Sequence, residues 1–307
     1  MNERDHDSFD AALTRALQED GRASANELAR RLGTSRDAVS QRIRVLAETG
    51  RMRVAAALDP RFVGHRVLVH AKVSVEGPVA PVARRIAELP EAVFVSLVSG
   101  ELPLVFESRH GGDDELHAVL ARVRGIPGVR GIRVTTYAEV LTGFFVAKQL
   151  ADIALDEVDH ELIALLQRDG RMSFRRLADA VHLAPSSTRA RVQRMLDAEV
   201  FRISAMTSGG LTGHRIALGV GIAAAGDTEP IRRYILDCPA IDFAAQTHGA
   251  HDFVATVVGS ASATVLGVLE ELRALPEVGS LDTWAHYDVV KEAYPRAFAP
   301  GAGPVAG

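Results

Sequence analysis

The feature that most constrains this chain is that it repeats itself. The stretch LQRDGRMSFRRLADAVHLAPSSTRARVQRML, from Leu166 to Leu196, is a variant of LQEDGRASANELARRLGTSRDAVSQRIRVLA at Leu17 to Ala47. The offset, 166 minus 17, is 149 residues, and it holds far beyond this motif. Asp20-Gly21-Arg22 falls on Asp169-Gly170-Arg171, Arg42 on Arg191, and Gly64-His65-Arg66 on Gly213-His214-Arg215. Phe94 falls on Phe243, Gly100 on Gly249 and Pro127 on Pro276, with no insertion needed. A long-period self-match sets the architecture before any local feature does. Two copies in 307 residues imply a duplicated two-domain unit, hence four small domains, because a solenoid needs three repeats or more.

Composition narrows the partners. The net charge of −4 means that contact with nucleic acid must come from a local basic face. The single cysteine, Cys238, cannot close an internal disulfide, and its expected role beside Pro239 is packing. The N-terminus reads without a signal peptide, so a cytoplasmic location is expected. The longest apolar run, near Ile216 to Ala225, is too short for a bilayer, so no membrane partner is expected.

In the first copy, Phe9, Leu13 and Leu17 recur at helical spacing and predict a helix over Ser8–Glu19, with Ser8 as its cap. Ser24 and Glu27 form a capping box that opens a short helix, which Gly33 ends. Ser35 caps a third helix whose Val39, Ile43 and Leu46 face inward. Two short helices joined by a tight glycine turn make a helix-turn-helix. The outward face of the third helix carries Arg36, Ser40, Gln41 and Arg44, with Arg42 on its flank. From Arg36 to Arg53 five arginines oppose Asp37 and Glu48. That is the surface of a helix that enters the major groove, where Arg and Gln reach base edges and phosphates. An arginine-rich face is as often merely solvated; its place on the second helix of the turn, and its repetition, favour DNA.

Arg51 to Leu58 predicts a strand or wing, and Asp59-Pro60 a turn. A second domain follows: strand Val67–Val75, helix Pro81–Glu88, strands Val93–Val98 and Leu102–Ser108, helix Asp113–Arg124 and strand Val129–Val140. The order β-α-β-β-α-β is a ferredoxin-like unit with helices on one face of an antiparallel sheet. The second copy repeats the plan with helices Asp156–Gln167, Ser173–Val181 and Pro185–Ala198. The expected class is α+β: a winged helix-turn-helix plus a ferredoxin-like βαββαβ domain, duplicated in tandem. The boundaries fall at 1–60, 61–148, 149–212 and 213–294, with a disordered tail over 295–307. Within the connection from Leu141 to Ala154, the apolar LTGFFVAKQL reads as packed.

These residues resemble the Lrp/AsnC (feast/famine) family of transcription regulators. LDEVDHELIALLQRDGR is similar to that family's opening signature, and the helix-turn-helix, Asp-Pro segment and βαββαβ domain come in its order, over Ser8 to about Tyr294. Family members usually carry one copy and pair their sheets between chains, so here the resemblance implies an intramolecular pseudo-dimer. It also implies a sequence-specific regulator of double-stranded DNA that is not an enzyme and needs no cofactor. Its partners would be a small effector, an amino acid by preference, and further copies of the chain in a homo-oligomer.

The family holds its effector with a Gly-x-x-Asp loop between the second and third strands. Gly249-Ala250-His251-Asp252 matches; Gly100-Glu101-Leu102-Pro103 replaces the acid with proline. Ligand binding is therefore expected at Asp252 with Thr247, His248, Gly249 and His251, although an aspartate there can equally cap a turn. In the second DNA-reading half, His182 and Ala184 replace Gly33 and Ser35, which weakens turn and cap, while Pro185 offsets the loss. Arg189, Arg191, Gln193 and Arg194 are its candidate DNA contacts, and the two heads should read different half-sites. A sirohaem-decarboxylase-like enzyme of haem biosynthesis, working through sheet-face histidines among His65, His70, His214, His248, His251 and His286, is the alternative. A metal at His248, His251 and Asp252 lacks a completing ligand set.

Overall fold

The computed structural model describes residues 3–143, 153–207 and 216–293. In chain order the first copy runs α1 (Glu3–Glu19), α2 (Ala25–Leu32), α3 (Arg36–Glu48), β1 (Met52–Leu58), a 3-10 turn, β2 (Val67–Val75), α4 (Val79–Ala87), β3 (Ala92–Val98), β4 (Leu104–His110), α5 (Asp113–Arg124) and β5 (Val129–Thr142). The second repeats it as α6 (Glu157–Arg168), α7 (Phe174–Ala180), α8 (Pro185–Asp197), β6 (Phe201–Thr207), β7 (Ile216–Ala224), α9 (Glu229–Asp237), β8 (Ile241–His248), β9 (Phe253–Gly259), α10 (Ser262–Arg273) and β10 (Val278–Glu292). Two local readings need correction. The first helix begins at Glu3, so the start expected at Ser8 falls inside it. Ser24 accepts from the Glu27 N–H, but the full reciprocal box forms in the other copy, between Asp156 and Asp159. Most of the LTGFFVAKQL segment, all of the 295–307 tail and His214 lie outside the described residues.

The elements group into two compact units that cut across the repeat. One gathers both helix-turn-helix heads, α1–α3 with β1 and α6–α8 with β6; the other gathers both ferredoxin-like halves.

In the first unit the apolar stripes predicted by helical spacing form the cores. Leu13, Leu17, Leu28, Val39 and Leu46 are buried in one head, and Leu162, Leu166, Leu177, Val192 and Met195 in the other. The heads are joined by β1 and β6, which pair antiparallel from Met52 opposite Thr207 to Leu58 opposite Phe201. Around this ribbon the two Asp-Gly-Arg turns come close enough to require glycine. Gly21 N–H donates to Ile203 O at 3.0 Å and Gly170 N–H to Val54 O at 2.9 Å. A Cβ on Gly21 would stand 2.5 Å from the Ile203 carbonyl oxygen, and one on Gly170 3.0 Å from Ala55 Cα.

In the second unit eight antiparallel strands close a barrel in the order β10-β3-β4-β2-β5-β8-β9-β7. The halves join twice and reciprocally, β5 to β8 and β10 to β3. Closure removes the free edges that an isolated four-stranded sheet would expose. The period-two pattern then sends alternate residues to two different cores. Val69, Ala71 and Phe106 of the strands share one core with Val119 and Val123 of α5, and Val220, Ile222 and Phe253 share another with Val268 and Leu272 of α10. The opposite face lines the barrel interior, where Val98, Val105, Val254 and Trp284 cluster. Gly219 is required there: a Cβ would lie 2.0 Å from Trp284 Nε1.

Candidate nucleic-acid interface and effector loop

α3 is set up as its sequence suggests. Gly33 closes α2 in the left-handed conformation, φ 64°, and Ser35 accepts from Ala38 N–H at the start of α3. Arg36, Gln41 and Arg44 are exposed and Ser40 is half-buried. Arg36 and Arg44 make no ion pair or hydrogen bond among the described residues. Arg42 is different. Its guanidinium grips the buried Asp10 carboxylate of α1 through Nε, and through Nη2 at 2.6 Å. It thereby pins α3 to the packing helix.

The second head repeats that pin at the equivalent positions, since 10 and 42 plus 149 give 159 and 191. Arg191 Nη1 reaches Asp159 at 2.9 Å and Asp156 at 2.7 Å, and Arg194 Nη2 reaches Asp159 at 2.5 Å. Hydrogen bonds to Asp156 and Asp159 hold the Arg191 guanidinium above its ordinary value. The Asp159 backbone N–H, and then Arg191, hold the Asp156 carboxyl below its own. Gln193 donates to Asp197 at 2.8 Å, and Arg189 lies over the Phe174 ring at 4.8 Å. Each of the four side chains expected to read DNA from α8 thus has an intramolecular contact. His182, in place of Gly33, is forced to φ 53°, and Ala184 gives no side-chain cap to α8.

A reciprocal lock between the heads escaped the sequence reading. Arg22 donates to the carbonyls of Gly170 and Met172 at 2.8 and 3.0 Å; Arg171 donates to those of Gly21 and Ala23 at 2.7 and 2.9 Å. Burial first, and then its neighbour Arg171, lowers the Arg22 guanidinium from its ordinary value; burial does the same to Arg171. The signal was available: both copies carry the same Asp-Gly-Arg turn, where a solvated turn needs no particular residue after the glycine.

In the barrel unit the Gly249–Asp252 loop joins β8 and β9. Thr247 is buried, His248 and Gly249 are exposed, and His251 and Asp252 are half-buried. The Asp252 carboxylate accepts from Ala224 N–H at 2.7 Å, so it caps the end of β7. The Thr247 hydroxyl donates to His251 O at 2.6 Å. The His251 ring packs on Gly221, where a Cβ would meet it at 2.6 Å, and its Nε2 lies 3.7 Å from Asp282. Burial lowers the His251 imidazole from its usual value, against the pull of Asp282. Further inside, His286 Nδ1 pairs with Ser96 Oγ at 2.9 Å, and Lys72 lies 3.8 Å from the Trp284 ring centroid. His70 is buried, with Nδ1 3.9 Å from Glu107. Among the described residues no group of three or more His, Cys, Asp or Glu could hold a metal, and no helix is long and apolar enough to cross a membrane.

Two tri-helical heads on one two-stranded ribbon, and a barrel made of two ferredoxin-like halves, define a duplicated helix-turn-helix protein. A model of the AsnC-type helix-turn-helix domain matches residues 7–47 and again 155–196. The HTH-type transcriptional regulator FL11 of Pyrococcus horikoshii is 32% identical over 127 residues, covering 41% of this chain and 84% of that protein. The regulator LrpA of Mycobacterium tuberculosis is 32% identical over 127 residues, covering 40% of this chain and 85% of the relative. The chain belongs to the Lrp/AsnC family of DNA-binding transcriptional regulators, with the family's unit duplicated in tandem. The siroheme decarboxylase NirDL shares the whole fold, with a TM-score of 0.64, coverage of 95% of this chain and 94% of its own, and 16% identity.

Proposed function

We propose that the chain recognises a specific duplex sequence by placing α3 in the major groove, where Arg36, Ser40, Gln41 and Arg44 reach base edges and phosphates. One observation carries this reading. The arginine that faces the protein, Arg42, is tied to Asp10, while Arg36 and Arg44 on the outward side have no partner among the described residues. Arginine–phosphate pairs release counterions, so binding weakens steeply with salt. Selection of bound fragments from random duplexes, followed by titration in rising NaCl, tests it. Recovery of no common sequence would remove the sequence-specific part of the proposal.

The effector belongs to the same proposal. An amino acid would seat at the Gly249–Asp252 loop, where a carboxylate and adjacent backbone suit an ammonium and a carboxylate. The effector would bias how chains associate, only as far as its affinity differs between arrangements. The exposed Leu236 and Leu266 support such association, which sedimentation of the chain with and without amino acids measures. In this reading the chain performs no chemistry.

A decarboxylase acting on sirohaem is the second reading. It is favoured by the burial of His70 on β2 and His286 on β10, and by the absence of any hydrogen-bond partner for the His70 ring among the described residues. Release of carbon dioxide when sirohaem is added would support it; a sequence-specific DNA complex with no such release would dismiss it.

A further inference from the structure

We infer that the two heads divide the work on DNA: the first reads bases through α3, and the second holds the phosphate backbone through Arg175 and Arg176 on α7. The inference rests on the regulator reading and adds a role for each head. In a helix-turn-helix the second helix lies in the major groove, while the first crosses the backbone. The copies are alike in their cationic supply but place it differently along these two helices.

On α3 the outward positions are Arg36, Ser40, Gln41 and Arg44; their counterparts at the 149-residue offset on α8 are Pro185, Arg189, Ala190 and Gln193. Ala190 and Pro185 offer no donor for a base edge. Gln193 is spent on Asp197 and Arg189 stacks on Phe174, while Arg191 and Arg194 neutralise Asp156 and Asp159. A bidentate contact from any of these would first have to break an intramolecular one.

The first turns of the other helices differ in the opposite sense. α2 presents Asn26 and Glu27 there, and α7 presents Arg175 and Arg176, both exposed and with side chains in no ion pair or hydrogen bond among the described residues. Glu27 would repel a phosphate where Arg176 attracts one. Arg30, whose side chain has no ion pair or hydrogen bond among the described residues, stands near the end of α2 where α7 has Asp179, so the cationic end of the helix is reversed between the copies. Two adjacent guanidinium groups without partners fit an anionic, sequence-independent surface, and the duplex backbone supplies one.

The test uses the full chain, a duplex recovered by selection and a scrambled duplex of equal length, titrated by fluorescence anisotropy at several NaCl concentrations. Gln41→Ala with Arg44→Ala should cut the ratio of specific to scrambled affinity tenfold or more. Arg175→Gln with Arg176→Gln should weaken both duplexes by the same factor and lower the salt slope by about two, at an unchanged melting temperature. The recovered sequences should show one defined half-site per chain. Two equally defined half-sites within one chain's footprint would overturn the inference, as would an unchanged salt slope for the α7 variant. A parent chain that binds neither duplex would instead defeat the regulator reading beneath it.

Discussion

Replacing Arg22 by alanine deletes one half of the lock that holds the two heads together. Two hydrogen bonds from a charged donor are lost, to Gly170 O and Met172 O, together with a contact 4.5 Å from the Phe174 ring centroid. Hydrogen bonds to charged groups contribute about 1.5–3 kcal/mol each and an exposed cation–π contact about 0.5–1 kcal/mol. The site is only partly buried, so water recovers much of what the two carbonyls lose, and a net cost of about 2–3 kcal/mol follows. For a unit of this size that lowers the melting temperature by something on the order of 10 °C. Urea unfolding followed by circular dichroism measures it, with amide exchange at Gly170, whose N–H is donated to Val54 across the ribbon. Arg22→Lys supplies a cation without the planar fork and should recover no more than about half of the loss. A stability change below about 0.5 kcal/mol in Arg22→Ala, or full recovery by lysine, would refute the idea that the fork across the ribbon matters.

Other consequences are shorter to state. His182→Gly relieves a left-handed histidine at the end of α7 and should stabilise the chain by about 1 kcal/mol, the reverse of the usual glycine penalty, as read from a thermal melt. Asp252→Ala should abolish amino-acid binding in calorimetry and also unpair Ala224 N–H; an unchanged isotherm would detach the loop from the effector. Burial, with the neighbouring His70, pushes the His286 imidazole down from 6.5 to about 4. The folded protein then keeps this ring neutral where the unfolded chain protonates, so its contribution is intact above about pH 6.5 and is lost as pH falls toward 4. The full loss is about 3 kcal/mol, and His286→Gln should flatten the acid limb of a stability–pH curve over that window.

Much of the fold was legible because it is written in periods. The 149-residue offset gave the duplication, helical spacing gave the heads, and strand alternation gave the βαββαβ order, with β2 and α5 ending where the pattern ends. What stayed hidden depends on pairing across the copies. Nothing in MRVAAAL says that it pairs with FRISAMT, because a short apolar strand is compatible with many partners. The inward face of the barrel was equally illegible: His70, Glu107 and His286 alternate with apolar residues as solvent-facing side chains of an open sheet would, and only closure buries them. The arginines of α8 were legible in number but not in their partners: a count of cations does not reveal which have a carboxylate within reach, and Asp156 and Asp159 lie some thirty residues away in sequence.

The pattern of agreement between the copies follows from carrying both in one polypeptide. The halves match at the reciprocal pins and locks: Asp10 and Asp159, Arg42 and Arg191, Gly21 and Gly170, Arg22 and Arg171. These positions are constrained by packing, because each supports a contact that its counterpart repeats across a pseudo-twofold. Where side chains face outward, at Arg36 against Pro185, Gln41 against Ala190 and Arg44 against Gln193, the halves differ. Two identical chains must present identical heads and so favour a palindromic target. Covalent linkage removes that restriction, since β1 meets β6 and β5 meets β8 at the high effective concentration of one chain, whatever the outer surfaces carry. A duplicated regulator can therefore keep its internal locks while each head takes on a different share of the DNA.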